Sequence, residues 1–328
     1  MKRIHFLFIF FLLGSLTAVK AADEIRIGEL YYKLAGKEAT VVGAVNNTSN
    51  CKIPSAVSYQ NVTYAVTSIG ERAFSGRTDL ISVNLPECIK IIYSSAFTGC
   101  TNLSSVNMTD SLERIGAQAF AGCTSLSSIS FPQSCGRNIG NNEVGGVSIE
   151  DRAFENCTGL ISVDFYAEND KWNSVIISPY AFKGCKNLSS VYIQKSEYKK
   201  IPQLIFNGSY AKIGKEAFAG CEKLSLVSFP YESKIGVSAF KDCVSLSSAI
   251  FPEEHPYANI SDSAFYNCVS LPSIAFESII DFIGQGAFAG CTSLTSVKTD
   301  EIKTRRGAFE GCSSLQNIDF LHMVAFQI

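Results

Sequence analysis

The sequence contains few of the side chains on which enzymes most often rely. Its 328 residues include three histidines, His5, His255 and His322, and a single tryptophan. Histidine is the usual acid–base group near neutral pH and the commonest metal ligand, so the sequence offers few residues for histidine-based catalysis or metal binding. Charged residues make up 18% of the chain, the formal net charge is −2, and no long basic run occurs. This charge pattern argues against a nucleic acid partner.

The short motifs of common enzyme classes are also missing. The sequence has no G-x-S-x-G, no H-E-x-x-H, no phosphate-binding loop and no dinucleotide-binding glycine motif. It has no C-x-x-C either, so zinc lacks its usual ligand spacing. We therefore expect a protein that is not an enzyme and that needs neither a cofactor nor a metal.

No apolar run approaches the roughly 20 residues that a membrane-spanning helix needs. The chain instead opens with Met1-Lys2-Arg3, an apolar stretch over 6–13, and small residues around Ala21. A basic start, a short apolar core and small residues at a cleavage site are typical of a secretory signal peptide. We assign residues 1–21 to this peptide, with cleavage after Ala21 or, alternatively, after Ala22. The mature chain is predicted to be exported and to be secreted or held at the cell surface.

The dominant positive feature of the sequence is an internal repeat. Ten Ala-Phe pairs recur at spacings of 21 to 36 residues, most of them close to 23. Leu stands six residues after every Phe. Three further positions are kept in nine copies each: Cys three residues after Phe, Val or Ile nine residues after it, and Ile five residues before it. The exceptions are Arg77, Ala249 and Thr304. The ten phenylalanines are Phe74, Phe97, Phe120, Phe154, Phe182, Phe218, Phe240, Phe265, Phe288 and Phe309.

Each offset indicates a local structure. Two residues after every Phe comes Gly, Asn or Asp, the types that most readily adopt positive φ. The Ala-Phe segment is therefore predicted to form a short helical or 3-10 turn that ends in a left-handed cap. The pattern that follows, as in Leu126-Ser127-Ser128-Ile129-Ser130-Phe131, ends in the apolar–polar–apolar alternation of a strand.

A unit of this size cannot bury its own apolar side, but stacked units cover one another. We predict a β-rich solenoid over residues 67–320, a leucine-rich repeat of about ten coils of roughly 23 residues with short strands and 3-10 or helical turns. Residues 22–66, rich in β-branched and aromatic types, are predicted to form an N-terminal β-hairpin cap. The apolar tail, 321–328, either folds back over the last coil or favours association.

The unit Ile115-Gly116-x-x-Ala119-Phe120-x-Gly122-Cys123-x-x-Leu126-x-x-Ile129 resembles the BspA-like leucine-rich repeat surface protein family. The resemblance covers roughly residues 67 to 320. It implies a β-rich solenoid with short strands and 3-10 or helical turns. It also implies a role in adhesion to host matrix proteins or other cells, because members of the family have been associated with such adhesion.

Nine of the 12 cysteines occupy one repeat offset. A cysteine at one offset would stack coil on coil beside Phe and Leu, where free cysteine behaves as a small buried hydrophobe. Export to an oxidising compartment favours disulfides instead, and the roughly 4.8 Å spacing of stacked strands allows some. Buried reduced thiols are the favoured interpretation. Cys51, Cys88 and Cys135 lie off this offset and are either exposed or paired.

Strand residues eight and ten after each Phe are expected to point outward. The first position is Ser in eight copies, and the second is mixed and includes Tyr192, Asp164 and Asp319. These two aspartates fall six repeats apart, far beyond the roughly 5–9.5 Å of paired catalytic carboxylates. The face is either a solvated sheet surface or a broad binding face for an extended ligand.

Three consecutive long spacings place insertions at about 133–148, 166–176 and 194–212. Insertions at one offset emerge on one side of a solenoid, often the binding side. Aromatic and basic residues, which commonly anchor interfaces, concentrate there. They are either part of tolerated loops or, as we hypothesise, a patch that contacts a partner. The candidate binding residues, with the strand residue Tyr192, are Trp172, Tyr166, Lys171, Tyr198, Lys199, Lys200 and Tyr210.

The sequence thus predicts an exported, non-enzymatic binding scaffold. Its partner would be an extracellular protein, from a host matrix or another cell surface, or a polysaccharide. The solenoid face and the inserted loops would carry the contact. The alternatives are a carbohydrate-active β-solenoid enzyme, which would need carboxylates clustered on adjacent coils, and a purely structural envelope protein.

Overall fold

The chain folds into short strands joined by turns. The computed structural model describes residues 24–45, 48–131, 147–166, 174–194, 204–205, 210–229, 232–251, 257–276, 280–299 and 304–320. Over these ranges it has 25 strands and no helix, and so nothing there that could cross a membrane as an apolar helix. The predicted signal peptide and C-terminal tail fall outside the described residues, and the predicted domain boundaries stay predictions.

The strands are β1 (Ile25–Ile27), β2 (Leu30–Ala35), β3 (Glu38–Ala44), β4 (Asn50–Lys52), β5 (Ala56–Tyr59), β6 (Val62–Ile69), β7 (Ser82–Asn84), β8 (Ile91–Ile92), β9 (Ser105–Val106), β10 (Arg114–Ile115), β11 (Ser128–Phe131), β12 (Ser148–Ile149), β13 (Ser162–Tyr166), β14 (Ser174–Ile177), β15 (Ser190–Gln194), β16 (Leu204–Ile205), β17 (Tyr210–Ile213), β18 (Leu226–Ser228), β19 (Glu232–Ile235), β20 (Ser248–Ile250), β21 (Tyr257–Ile260), β22 (Ser273–Phe276), β23 (Ile280–Ile283), β24 (Ser296–Thr299) and β25 (Asn317–Phe320).

One long sheet runs the length of the molecule. Its order is β1-β2-β3-β6-β8-β10-β12-β14-β17-β19-β21-β23, with β5 paired to β6, and from β6 onward all neighbours on this path are parallel. The isoleucine that stands five residues before Phe in nine of the ten copies is buried in these strands, as in the register Ile213↔Ile235↔Ile260. We call this the first sheet. The repeated Ile was recognised in the sequence, but its strand was not.

The second side of the solenoid carries three shorter parallel sheets: β4-β7-β9, β11-β13-β15-β16-β18-β20 and β22-β24-β25. These contain the predicted Leu-x-x-Val-x-Phe strands, whose apolar residues point inward in register, as in Ile129↔Val163. The β-rich solenoid is therefore confirmed. We call these strands together the second side.

The ten Ala-Phe turns form the third edge, the turn edge. Consecutive Phe rings are stacked, with centroids 5.1–5.5 Å apart and interplanar angles of at most 9° at all nine steps. Phe182 and Phe218 stand 36 residues apart in sequence and still stack at 5.5 Å. The insertions therefore leave this edge unchanged.

The predicted helical or 3-10 turns at these phenylalanines are wrong. In the second coil Ala96, Thr98 and Cys100 donate amide hydrogens three residues back, as in consecutive β-turns. The amides between them, at 95, 97 and 99, donate instead to carbonyls of the next coil, at 117, 119 and 121. A helix would direct every amide back along its own chain, whereas here alternate amides bind the coils together.

The left-handed cap two residues after each Phe is confirmed at all ten positions. A second left-handed residue, two before each Phe, was not predicted. It has φ between 52° and 67° in all ten copies, and eight of these are not glycine. Residues such as Arg72, Tyr180 and Glu216 give no compositional sign of positive φ. Inter-coil hydrogen bonds on both sides of this residue stabilise the conformation.

The N-terminal strands extend the first sheet and close the start of the stack. β1, β2 and β3 are antiparallel neighbours, and β3 pairs in parallel with β6. This arrangement explains why the first copy has Arg77 in place of Cys. The Arg77 guanidinium faces this N-terminal region, donating to the Ala44 carbonyl at 3.5 Å and to both carboxylate oxygens of Asp79 at 2.7 Å.

Candidate binding surfaces

The outward strand positions of the second side form a hydroxyl-rich surface. Ser105, Ser128 and Ser273 are exposed, the others described are partly exposed, and Ser190 is the exception at 6% exposure. At the second outward position Asn84, Asn107, Ser130, Ile250, Ala275 and Lys298 are exposed. The side chains of Asp164, Tyr192 and Asp319 lie outside the described residues.

A neighbouring row of hydroxyls has a structural role. In four copies the Ser or Thr seven residues after Phe donates its hydroxyl hydrogen to the backbone carbonyl of the same position one coil earlier. Examples are Ser104 to Ile81 at 3.1 Å and Thr295 to Pro272 at 2.9 Å. These bonds satisfy backbone carbonyls at the coil edge. The hydroxyls of this neighbouring row therefore have a structural role that requires no ligand.

The sequence-predicted patch lies mostly outside the described residues, which exclude Trp172, Lys171, Tyr198, Lys199 and Lys200. Only the backbone is described for the other three tyrosines. Tyr166 ends β13 and Tyr192 lies in β15, two paired strands of the second side, whereas Tyr210 begins β17 of the first sheet. The patch stays a prediction.

The third insertion adds a strand to one side only. β16, Leu204–Ile205, lies between β15 and β18 on the second side. On the first sheet the corresponding strands β14 and β17 pair directly. The second side therefore has one more strand than the first sheet at this point, which widens its surface beside the predicted patch.

A basic and aromatic cluster on the turn edge was missed in the sequence. The ring centroid of Tyr180 lies 4.2 Å from the Arg152 guanidinium carbon and 5.2 Å from Lys183 Nζ. Lys183 also forms an ion pair with Glu216 at 2.6 Å. Arg152, Tyr180 and Glu216 share one offset, two before Phe, in consecutive repeats, so aligning the repeats at that offset was the available signal.

The repeated cysteines form hydrogen bonds between coils. Each thiol donates to the carbonyl of the Phe one coil earlier, with sulfur–oxygen distances of 3.0–3.4 Å. We call these nine residues the thiol ladder: Cys100, Cys123, Cys157, Cys185, Cys221, Cys243, Cys268, Cys291 and Cys312. The first eight have no exposed surface and Cys312 is partly exposed. The eleven cysteines of the described chain are all unpaired thiols.

Burial makes the first eight of these thiols poor nucleophiles. It raises the pKa of Cys100 to about 11 and that of Cys185 to about 12, so the reactive thiolate is scarce at neutral pH. Off the ladder, burial raises the pKa of Cys51 to about 11. Cys88 is partly buried, and its thiol donates to the Val66 carbonyl at 3.2 Å. Cys135 lies outside the described residues.

The described residues hold no cluster of three or more His, Cys, Asp or Glu side chains that could bind a metal ion. Candidate binding surfaces among these residues include the hydroxyl-rich second side, the cluster around Tyr180, and the edges beside the insertions.

The model of the BspA type leucine rich repeat region matches residues 48–146, 144–211 and 211–326, in six copies. The chain belongs to the BspA-type leucine-rich repeat family. Membership in this family indicates a binding scaffold, since its members are typically binding proteins and not enzymes.

Solved structures share the fold of this BspA-type protein. One is a leucine-rich repeat protein from Bacteroides ovatus, with 23% identity, a TM-score of 0.55, and coverage of 90% of this chain and 76% of the other. Another is the T. pallidum leucine-rich repeat protein, with 22% identity, a TM-score of 0.50, and coverage of 68% and 90%. None of the curated proteins compared with the chain matches it.

Proposed function

We propose that this protein is an exported scaffold that binds an extracellular partner, in cell-surface adhesion or another protein–protein interaction. Three features support the proposal. The first 21 residues have the composition of a secretory signal peptide, the family consists of binding scaffolds, and the stacked coils present a long surface. The partner is a host matrix protein, a protein of another cell surface, or a polysaccharide.

The observation that carries the proposal is the contrast between the uniform turn edge and the varied second side. Phe rings stack within 5.1–5.5 Å along the whole turn edge, which fixes the coils relative to one another. A rigid scaffold holds many contact residues in place, so little conformational entropy is lost when they bind. The repeats differ most in length at the three insertions, the last of which adds β16 to the second side.

Under this proposal the inserted loops make the central contacts. The second insertion contains Lys171 and Trp172, and the third contains Lys199. Tryptophan and basic residues at the centre of an interface commonly carry most of the binding free energy. The hydroxyl-rich strands beside the loops would contribute many weaker contacts.

A binding screen of residues 22–328 against matrix proteins and polysaccharides tests the proposal. For any ligand found, Trp172→Ala combined with Lys199→Ala should weaken binding by about tenfold or more. The matched control, Lys33→Ala with Lys90→Ala, changes two exposed lysines far from the insertions and should leave affinity unchanged. A ligand that binds both variants as tightly as the wild type would exclude the predicted patch. A screen without any ligand would favour a purely structural envelope protein.

A further inference from the structure

A shallow trough crosses four coils on the outside of the first sheet. It lies at the corner where β14, β17, β19 and β21 lead into the Ala-Phe turns, and its volume is about 430 Å³. Its floor consists of the residues four before each Phe, which are Ser178, Gly214, Gly236 and Ser261. Parallel strands lie about 4.8 Å apart, so three steps between coils give the trough a length of about 15 Å.

The stacking of the coils keeps this floor low. A Cβ on Gly214 would lie 2.5 Å from the Pro179 nitrogen, and one on Gly236 would lie 2.7 Å from the Gly214 carbonyl carbon. The coils approach too closely at these two glycines for a side chain. The same position is glycine in the first, third and ninth coils and a larger residue, such as Tyr93 or Glu150, in the second and fourth. Small residues therefore occupy this corner in every coil from the fifth to the ninth, and the trough spans the first four of these coils.

Exposed lysines lie on both walls of this trough, on one of them between Pro179 and Val237. Lys212 and Lys234 occupy the same register position on the neighbouring strands β17 and β19, and both are exposed. Lys215 lines the opposite wall. None of the residues that line the trough, all of them in the described part of the chain, is acidic. We call this feature the lysine trough.

Nearby carboxylates only partly balance these charges. Glu216 lies 4.0 Å from Lys215 but binds Lys183 more closely, at 2.6 Å, and Glu232 lies 4.0 Å from Lys234. Exposed pairs of this kind contribute little. Among the described residues no carboxylate pairs with Lys212.

The basic stretch ends at the eighth coil. There the wall position is Asp262, whose carboxylate lies 3.7 Å from the Arg305 guanidinium and accepts the Gln285 amide hydrogen at 2.8 Å. The whole chain has a formal net charge of −2. The lysine trough is therefore a local positive region on a protein that is acidic overall, which would attract an anion to this place specifically.

We propose that the lysine trough binds a linear acidic polysaccharide, one that carries carboxylate or sulfate groups along its chain. The inference rests on the proposed binding function and adds to it a ligand class and a location. An open trough across four coils suits an extended polymer, and the ammonium groups of Lys212, Lys215 and Lys234 would each meet one of its repeated anionic groups. The hydroxyls of Ser178 and Ser261 on the floor can bind sugar hydroxyls.

The geometry favours a polysaccharide over an acidic peptide. A peptide usually gains affinity by adding a strand to an open sheet edge, but β14, β17, β19 and β21 are each paired on both sides. Protein interfaces also rely on deep pockets for aromatic or arginine anchors, whereas this trough is open, and its lining combines glycine and serine with aliphatic residues such as Ile213 and Val237.

Binding of fluorescently labelled polygalacturonate and heparin to residues 22–328 tests this inference, with neutral dextran and poly-L-glutamate as comparison polymers. The wild type should bind at least one acidic polysaccharide and not dextran. Lys212→Ala with Lys234→Ala should weaken that binding by about tenfold, the combined effect of two exposed charge contacts. The control pair Lys33→Ala with Lys90→Ala, which removes the same charge elsewhere, should bind like the wild type.

A second variant tests the shape of the trough independently of its charge. Ser178→Tyr introduces at the corner the residue that Tyr93 provides in the second coil, so the fold tolerates it, and it obstructs the floor while keeping every lysine. It should also weaken binding by about tenfold, since an obstructed floor separates the polymer from the lysines on both walls.

Three results would overturn the inference: no acidic polysaccharide bound by the wild type, equal binding by the Lys212/Lys234 variant, or poly-L-glutamate bound through the same lysines at least as tightly. Loss of this inference would leave the binding of a matrix protein through the inserted loops untouched, because that binding is measured with a different ligand and with the Trp172/Lys199 variant.

Discussion

The turn edge and the second side of the solenoid are built from the same repeats but tolerate very different variation. At the turn edge, ring centroids stay 5.1–5.5 Å apart whether 21 or 36 residues separate two phenylalanines. The second side is divided into three sheets and carries the additional strand β16. The difference shows that the turn edge keeps the same geometry in every coil, whereas the second side can accept insertions.

Three interactions act together at every step of the turn edge. Phe rings stack, alternate amides donate to the next coil, and each ladder thiol donates to a Phe carbonyl one coil earlier, as Cys157 does to Phe120 at 3.1 Å. On the second side, by contrast, the coils are joined by short strands and by scattered hydroxyl hydrogen bonds, and the outward residues are mostly small and polar. The first region stabilises the molecule, and the second provides varied surface.

Raising the pH should lower the stability of the protein, mainly through the buried thiols of the turn edge. Burial raises the pKa of ladder thiols above their ordinary 9.0, to about 11 for Cys100 and about 12 for Cys185. The folded state therefore retains protons that the unfolded chain releases, so this stabilisation is complete below about pH 9 and is lost as pH rises toward 11–12. Each buried thiol should lower the free energy of unfolding by up to about 1.4 kcal/mol per pH unit in that window.

Urea unfolding at a series of pH values measures this slope. Cys185→Ala should reduce the slope by the share of one thiol, whereas Ser128→Ala, which removes no titratable group from an exposed position, should leave the slope unchanged. A free energy of unfolding that stays constant from pH 8 to pH 11 would contradict the buried, reduced ladder.

Removing one ring from the Phe stack should be the most damaging single substitution. Phe120 has no exposed surface and stacks between Phe97 and Phe154. Phe120→Ala should lower the free energy of unfolding by about 3–5 kcal/mol and loosen the adjacent coils with it. Ser128→Ala, an exposed residue on the second side of the same coil, should change it by less than about 0.5 kcal/mol. Similar effects of the two substitutions in chemical denaturation would abolish the contrast between the two regions.

Shortening an insertion should have the smallest effect. Deleting residues 196–208 from the third insertion restores a spacing of 23 between Phe182 and Phe218, in place of 36. The deletion also removes β16, so β15 and β18 would have to pair directly, as β14 and β17 already do on the first sheet. Because the rings at this step already stack as well, the deletion should change stability by less than about 1 kcal/mol. Loss of cooperative thermal unfolding in the deletion variant would show that the insertion is part of the framework.

The sequence predicted the features that depend on side-chain type at a fixed offset. The inward Phe and Leu, the strands of the second side, and the left-handed residue after each Phe all follow from apolar periodicity or from Gly, Asn and Asp. The left-handed residue before each Phe could not be predicted, because inter-coil backbone bonds impose it on residues as different as Arg72 and Tyr180. The helical turns were wrong for the same reason.

Surface clusters were missed because they join residues from different repeats. Lys212 and Lys234 stand 22 positions apart in sequence but side by side across two strands. Both precede their Phe by six residues, so an alignment of the repeats at that offset contains the signal for the lysine trough. Arg77 was visible as an exception to the cysteine pattern, but its explanation required the position of the Ala44 carbonyl.

Thiol labelling of the native protein, followed by peptide mapping, tests the account most directly. If the turn edge is uniform, the ladder thiols Cys157, Cys185 and Cys221, which flank the long insertions, should be as protected as Cys100 and Cys268 in the regular repeats, and all should react once the chain is unfolded. Rapid labelling of those three in the native protein, at the rate of an exposed thiol, would contradict the claim that the insertions leave the turn edge intact.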